Sequence, residues 1–366
     1  MTKERNNGVD CLRFMLMFMV CILHVLGQGG ILSSNINGSL QYAVFWLIDI
    51  VCFCSVDSFA FISGYVATDN RSANYTKLIG MWFQVFFYTF FLSLILKLFG
   101  VGEIGGGYKE LVKLIAPVTG KTYWYFTAYF VLSIIKPYLN IVLFSLRRNQ
   151  LKTGFIILFI LFSLQGFLGD PYKSSDGYSA IWLIVLYCMG VITKRGRFFE
   201  KYNSRFLVIL FCLNSVFTLI FFLVSGNGLF IKYTSPTILF NGIYLVIIFS
   251  RMKVGKIGNL ISKYSLLAFG IYLFQLNPVI WNCLIKDAFV SIANSEIYIG
   301  ILQVFGYASL ILVSGLILEI IRDRLFTIMK VNKLAEIVND IIGLIVSKST
   351  VLLGCVDDID CNESNK

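Results

Sequence analysis

The chain has 366 residues, of which 57% are hydrophobic, 16% aromatic and only 14% charged, with a mean hydropathy of +0.79. Such proportions exclude a soluble domain as the main body of the protein. The formal net charge of +11 raises the question of nucleic acid, but the cations sit between long apolar runs in the pattern of membrane topology, so no nucleic-acid partner is expected.

A bilayer core about 30 Å thick needs about 20 mostly apolar residues per helix. On that ruler the sequence predicts spans near 11–32, 42–67, 78–99, 122–143, 154–169, 178–193, 206–225, 236–250, 264–285 and 298–320. The runs are continuous and lack the two-residue alternation of lipid-facing strands, which excludes a barrel. The expected fold is all-α, a polytopic membrane bundle of about ten transmembrane helices over residues 1–325. A cytoplasmic tail, 326–366, follows it.

With the N-terminus in the cytoplasm, 20 Lys and Arg residues, from Lys3, Arg5 and Arg13 to Arg322, Arg324 and Lys330, fall at cytoplasmic ends and loops. Six (Lys109, Lys113, Lys121, Lys173, Lys232 and Lys286) fall on the other side. The positive-inside rule then places both termini in the cytoplasm. The first apolar run is too long for a signal peptide and lacks a small-x-small cleavage site, so it is expected to remain as the first span. The nine cysteines show no zinc-ligand spacing and predict no disulfide framework.

The first span carries the only histidine of the chain, His24. An ionisable residue inside a span is costly and points to function, against the plainer reading of a polar residue hydrogen-bonded to a neighbouring helix. Arg13 precedes it by eleven positions, which at 100° per residue returns to within about 20° of the same face, some 16 Å along the axis. Asp10, Met17, Cys21 and Gln28 follow the same stripe, with Asp10 placed to steady Arg13. A guanidinium at the cytoplasmic mouth suits phosphate, and a deeper imidazole suits proton transfer near neutral pH. For Arg13 alone, a positive-inside anchor is the competing reading. Cys21, three residues before His24, would form a Cys–His nucleophile pair, but small apolar packing is the favoured role.

In the second span, Asp57 is a costly buried carboxylate and Asp49 a weaker candidate of the same kind. The loop near 100–121, with Gly105, Gly106 and Gly107, lacks the strand and lysine of a phosphate loop and reads as a flexible tip. Trp124, Tyr125 and Tyr129 open the fourth span, either as an interfacial aromatic belt or as a sugar-stacking surface. In the tail, Leu334, Ile337, Val338, Ile341, Ile342 and Ile345 share one face, which predicts a helix lying at the cytoplasmic interface.

Four stretches carry a resemblance. Asn7-Gly8-Val9-Asp10-Cys11-Leu12-Arg13-Phe14 with His24 resembles the first-helix signature of the membrane acyltransferase 3 family, which includes O-acetyltransferases of bacterial surface polysaccharides. Val56-Asp57-Ser58-Phe59-Ala60-Phe61-Ile62-Ser63-Gly64-Tyr65 resembles its second-helix pattern. Tyr123 to Tyr129, with Lys136-Pro137-Tyr138-Leu139-Asn140, resembles its fourth helix. Phe269 to Pro278, containing Tyr272-Leu273-Phe274-Gln275-Leu276-Asn277, resembles its late Tyr-Leu-x-His segment. Two departures stand out: Lys77 lies where many members carry an arginine pair, and Gln275 takes the place of a histidine.

The resemblance implies transfer of an acyl group, acetyl by family habit, from cytoplasmic acyl-CoA to a hydroxyl of a cell-surface or lipid-linked glycan. Acetyl-CoA would be a donor substrate, with no bound cofactor and no metal, and the setting a bacterial plasma membrane. His24 and Arg13 are the expected catalytic pair, and Asp57, Ser63, Trp124, Tyr125, Gln275 and Asn277 the expected substrate-binding residues. A multispan transporter or flippase for an anionic or lipid-linked substrate is the alternative.

Overall fold

A computed structural model describes residues 6–101, 112, 116, 118, 122–165 and 169–352, with side chains up to residue 346. Lys3, Arg5, most of the 100–121 loop with its glycine run and lysines, and the acidic end from 356 onward lie outside the described residues. Among the described residues every regular element is helical and there is no strand.

Seven helices are long and apolar enough to cross a membrane: Asn7–Ser34, Leu40–Tyr65, Thr76–Leu98, Trp124–Ser145, Ser204–Ser225, Lys256–Gln275 and Ile297–Ile328. The other three expected spans are helical but shorter. They are Arg148–Leu158 continuing through Phe159–Leu164, Ala180–Gly196, and Pro236–Ser250. Within the apolar windows of the first two spans 61% of residues are buried in the protein, against 17% for Ser204–Ser225. The first two spans are therefore the centre of the bundle. Ser204–Ser225 is peripheral and exposes Ile209, Leu213, Phe217 and Ile220, a surface suited to lipid.

Close backbone approach between the second span and Ala180–Gly196 depends on glycines. A Cβ on Gly64 would lie 1.9 Å from the Tyr187 carbonyl oxygen, and one on Gly190 would lie 2.3 Å from the Phe61 carbonyl oxygen. Two helices meet there through their small residues, as packing in a membrane favours. Ser63-Gly64-Tyr65 is thus in part a packing motif, and the Ser63 hydroxyl bonds its own helix at the Phe59 carbonyl, 3.2 Å away.

Several spans are interrupted. The first ends in a π-turn, His24–Gln28, where Gly29 N–H bonds the His24 carbonyl at 2.8 Å. Other π-turns occupy Phe87–Leu92, Phe159–Leu164 and Trp281–Ile285. Such turns insert a residue into an α-helix and recur at functional sites. The end of the first span is tied down by bonds from Asp287 N–H to the Gln28 carbonyl and from Phe289 N–H to the Gly29 carbonyl, both 2.9 Å.

The 32-residue helix Ile297–Ile328 runs further than the expected 298–320 and packs on Ala268–Gln275. It contains an ion pair that charge counting does not show: Arg322, counted among the cations at cytoplasmic ends and loops, is 8% exposed and paired with Glu319, which is 1% exposed. Gln84 donates to one Glu319 oxygen at 2.9 Å and Tyr88 to the other at 2.8 Å, so this carboxylate joins three helical segments. The tail forms the helix Val331–Leu352, which packs against Thr76–Phe86. There the Asn339 side chain accepts from Tyr75 N–H at 2.9 Å.

Candidate active site

The first helix begins at an Asn6 cap, whose side-chain oxygen accepts from Val9 N–H at 3.1 Å, and its 3.6-residue period then places Arg13, Met17, Val20 and His24 in one row. All four line a single cavity of about 900 Å³, which continues past Gln28. Asp10 receives a hydrogen bond from Arg13 Nη1 at 2.5 Å. Cys21 is fully buried and off the cavity wall, consistent with packing. Lys77 joins Arg13 on the lining. The first and third spans start on the same side of the bundle, since the second returns between them, so the two cations mark one end of the cavity.

His24 is held from two sides. Its Nδ1 lies 3.0 Å from Gln275 Oε1, across 251 positions of sequence. Its ring meets Trp281 edge-on with centroids 5.4 Å apart. With the amide oxygen as acceptor, Nδ1 donates, and Nε2 keeps a free lone pair. Gln275 is itself fully buried, and its amide nitrogen faces the Met17 sulfur at 3.6 Å. The departure from a histidine at this position therefore supplies an orienting partner for the one histidine present.

The segment that carries Gln275 is fixed from behind. Asn277 caps the short helix Pro278–Ile280 by accepting from Val279 and Ile280 N–H, at 3.0 and 3.2 Å. It also donates to the Tyr88 carbonyl at 2.8 Å and to Ser93 Oγ at 2.9 Å. With those bonds made, Asn277 braces Ala268–Gln275 against the third span. Tyr123 adds a bond from its hydroxyl to the Leu273 carbonyl at 3.1 Å. Gly270 lies directly under Glu319, whose carboxylate would clash with a Cβ at 2.0 Å.

Trp124 and Tyr125 line the same cavity as His24 and Arg13. Asp57 and Ser63 do not. Asp57 is 1% exposed, accepts from the Trp182 indole at 2.9 Å through Oδ1, and sits behind Val56 and Phe59, which do face the cavity. The second-span carboxylate on the wall is instead Asp49. Among the described residues no group of His, Cys, Asp and Glu is arranged to hold a metal ion.

The arrangement joins a cationic end, an oriented imidazole and an aromatic end in one apolar passage, which fits transfer between an anionic donor and a polar acceptor. A family model described as an acyltransferase domain matches residues 6–320, which include every residue named in this cavity. Searches of curated proteins and of solved structures gave no significant match. The chain is a multi-pass membrane protein that belongs to the acyltransferase 3 family.

Proposed function

We propose that the protein transfers an acetyl group from cytoplasmic acetyl-CoA to a hydroxyl of a cell-surface or lipid-linked glycan, in a bacterial plasma membrane. In this reading all ten helical segments cross or enter the bilayer and both termini are cytoplasmic, as the cation bias requires. The observation that carries it is the shared cavity of Arg13 and His24, with the His24 ring fixed by Gln275.

Arg13 and Lys77 bind the donor's phosphates at the inner mouth. The thioester extends along the first helix toward His24. Nε2 takes the proton of the acceptor hydroxyl while its oxygen attacks the thioester carbonyl carbon. The resulting tetrahedral intermediate collapses with cleavage of the C–S bond, and the departing thiolate recovers the proton from the imidazolium. The Gln275 bond holds Nδ1–H throughout, leaving Nε2 as the single site of proton exchange. Direct transfer needs no acyl-imidazole, so trapping an acetyl-His24 adduct from donor alone would overturn general-base catalysis. The acetyl group crosses the membrane while the carrier stays inside.

The test compares O-acetyl ester on the surface glycan of cells that express wild type, His24→Ala and Arg13→Ala at equal levels. The proposal expects ester to be lost with His24→Ala and reduced with Arg13→Ala. Unchanged ester in both would remove it. The transporter alternative predicts movement of an intact carrier or lipid-linked sugar and no new ester.

A further inference from the structure

Among the described residues four carboxylates have under a tenth of their surface exposed: Asp10, Asp49, Asp57 and Glu319. Three have a protein partner: Asp10 has Arg13, Asp57 has the Trp182 indole, and Glu319 has Gln84, Tyr88 and Arg322. Asp49 is 5% exposed, lines the cavity, and makes no hydrogen bond or ion pair among the described residues. A carboxylate withdrawn from water inside a span is costly unless something answers it. Its position on a cavity wall makes a ligand the natural partner.

The neighbouring groups indicate what kind. Trp46, Asp49, Phe53 and Val56 follow one helical stripe and all face the cavity. The Trp46 indole N–H is buried without a partner, so an unmet donor stands one turn from an unmet acceptor. Beyond Phe53 lies a cluster of rings: Phe53 and Tyr233 have centroids 4.5 Å apart, Tyr178 and Tyr233 4.9 Å, and Trp124 and Tyr178 4.8 Å. Tyr178 is 50% exposed and forms the rim.

The cavity links this arm to the reaction, because His24 and Asp49 both line it. A ligand on Asp49 shares that space with the base.

We propose that Asp49, with the Trp46 N–H and the Trp124–Tyr178–Tyr233 rings, is the acceptor subsite and takes a neutral pyranose. One ring hydroxyl donates to Asp49 while the apolar C–H face of the sugar lies on the aromatic wall. A hydroxyl both donates and accepts, so it answers the carboxylate and the indole together, whereas an ammonium group leaves the indole unmet. This assignment rests on the reading of the acceptor as a glycan hydroxyl and names what that hydroxyl's sugar must present.

The test is tryptophan fluorescence of the full chain in phosphatidylglycerol nanodiscs, titrated with methyl glucopyranoside, the corresponding 2-amino glycoside and tetramethylammonium. The expected result is a saturable response to the neutral pyranoside, weakened at least tenfold by Asp49→Asn and by Tyr178→Ala. Absence of a saturable pyranoside response in wild type overturns the subsite. So does wild-type affinity in Asp49→Asn, or Asp49-dependent binding of tetramethylammonium or the amino glycoside tighter than that of the neutral sugar. Should Asp49→Asn not fold, Tyr178→Ala at the exposed rim decides, and unchanged affinity there overturns the proposal. A second assay separates this from the enzymatic reading. Asp49-dependent sugar binding without acetyl transfer by wild type keeps the subsite and removes the activity, while transfer by Asp49→Asn with an unaltered acceptor KM keeps the activity and removes the subsite.

Discussion

Nδ1 of His24 and Oε1 of Gln275 lie 3.0 Å apart, joining the first helix to a segment 251 residues later. The bond selects the tautomer whose Nε2 is free to act as a base. Replacing Gln275 by Leu removes the acceptor but keeps the volume, so kcat is expected to fall roughly tenfold to hundredfold, within the usual contribution of a positioned base. The donor KM should change little. Gln275→His, which restores a ring nitrogen as acceptor, should keep more activity than Leu. Steady-state kinetics of the two variants checks this ordering, and equal rates in both would refute an orienting role.

Lys77 shares the cavity lining with Arg13. Lys77→Ala is expected to raise the donor KM by roughly threefold to tenfold with kcat within about twofold, the signature of lost binding without lost chemistry. Because the side chain is solvent-exposed, its contribution should shrink at high ionic strength. A KM series at low and high salt measures both effects.

Gly64 and Gly190 allow the second span and Ala180–Gly196 to touch at backbone distance. Gly64→Leu or Gly190→Leu must push those helices apart, at a cost of roughly 1–3 kcal/mol or more. Thermal unfolding in detergent should show a lower Tm for each variant. Gly80→Leu, where nothing lies within 4 Å of an added Cβ, should leave Tm near that of wild type.

Glu319 and Arg322 form a buried pair one turn apart on the last long helix. Glu319→Gln leaves the buried guanidinium with only the exposed Asp323 carboxylate, 3.5 Å away, and should destabilise the protein by up to about 3–5 kcal/mol. Changing both residues to Leu together should cost less than Glu319→Gln alone, because no buried charge is then stranded. Denaturant titrations of the variants give the comparison. Since Glu319 packs on Gly270 in the segment that carries Gln275, the single variant should also lose activity before it loses its helices.

The first helix could be read directly from sequence because its argument is local. Arg13, Met17 and His24 share a face by period alone, and they share one cavity wall in the structure. The partner of His24 could not be read in this way, because Gln275 is distant in the chain and a missing histidine at that position looked like a loss. Glu319 and Arg322 did leave a signal, an acid and a base three apart inside an apolar run. A tally of cations at cytoplasmic ends and loops does not show that Arg322 is buried against that acid. Asp49 stood out less than Asp57 because both are carboxylates in one span, and only packing shows which faces inward to Trp182 and which faces the cavity. The three expected spans that fall short of crossing length are helices of 15 to 17 residues. An apolar run marks such a segment but does not say where its helix begins or ends.

The central claim is a division of labour between two residues on one helix face, and kinetics in nanodiscs tests it most directly. kcat and the acetyl-CoA KM are measured for wild type, His24→Ala and Arg13→Ala with a pyranoside acceptor. The account predicts a loss of kcat of roughly a hundredfold or more for His24→Ala, and for Arg13→Ala a donor KM raised roughly tenfold with kcat largely kept. Wild-type kcat in His24→Ala, or a donor KM unmoved by Arg13→Ala, would contradict it.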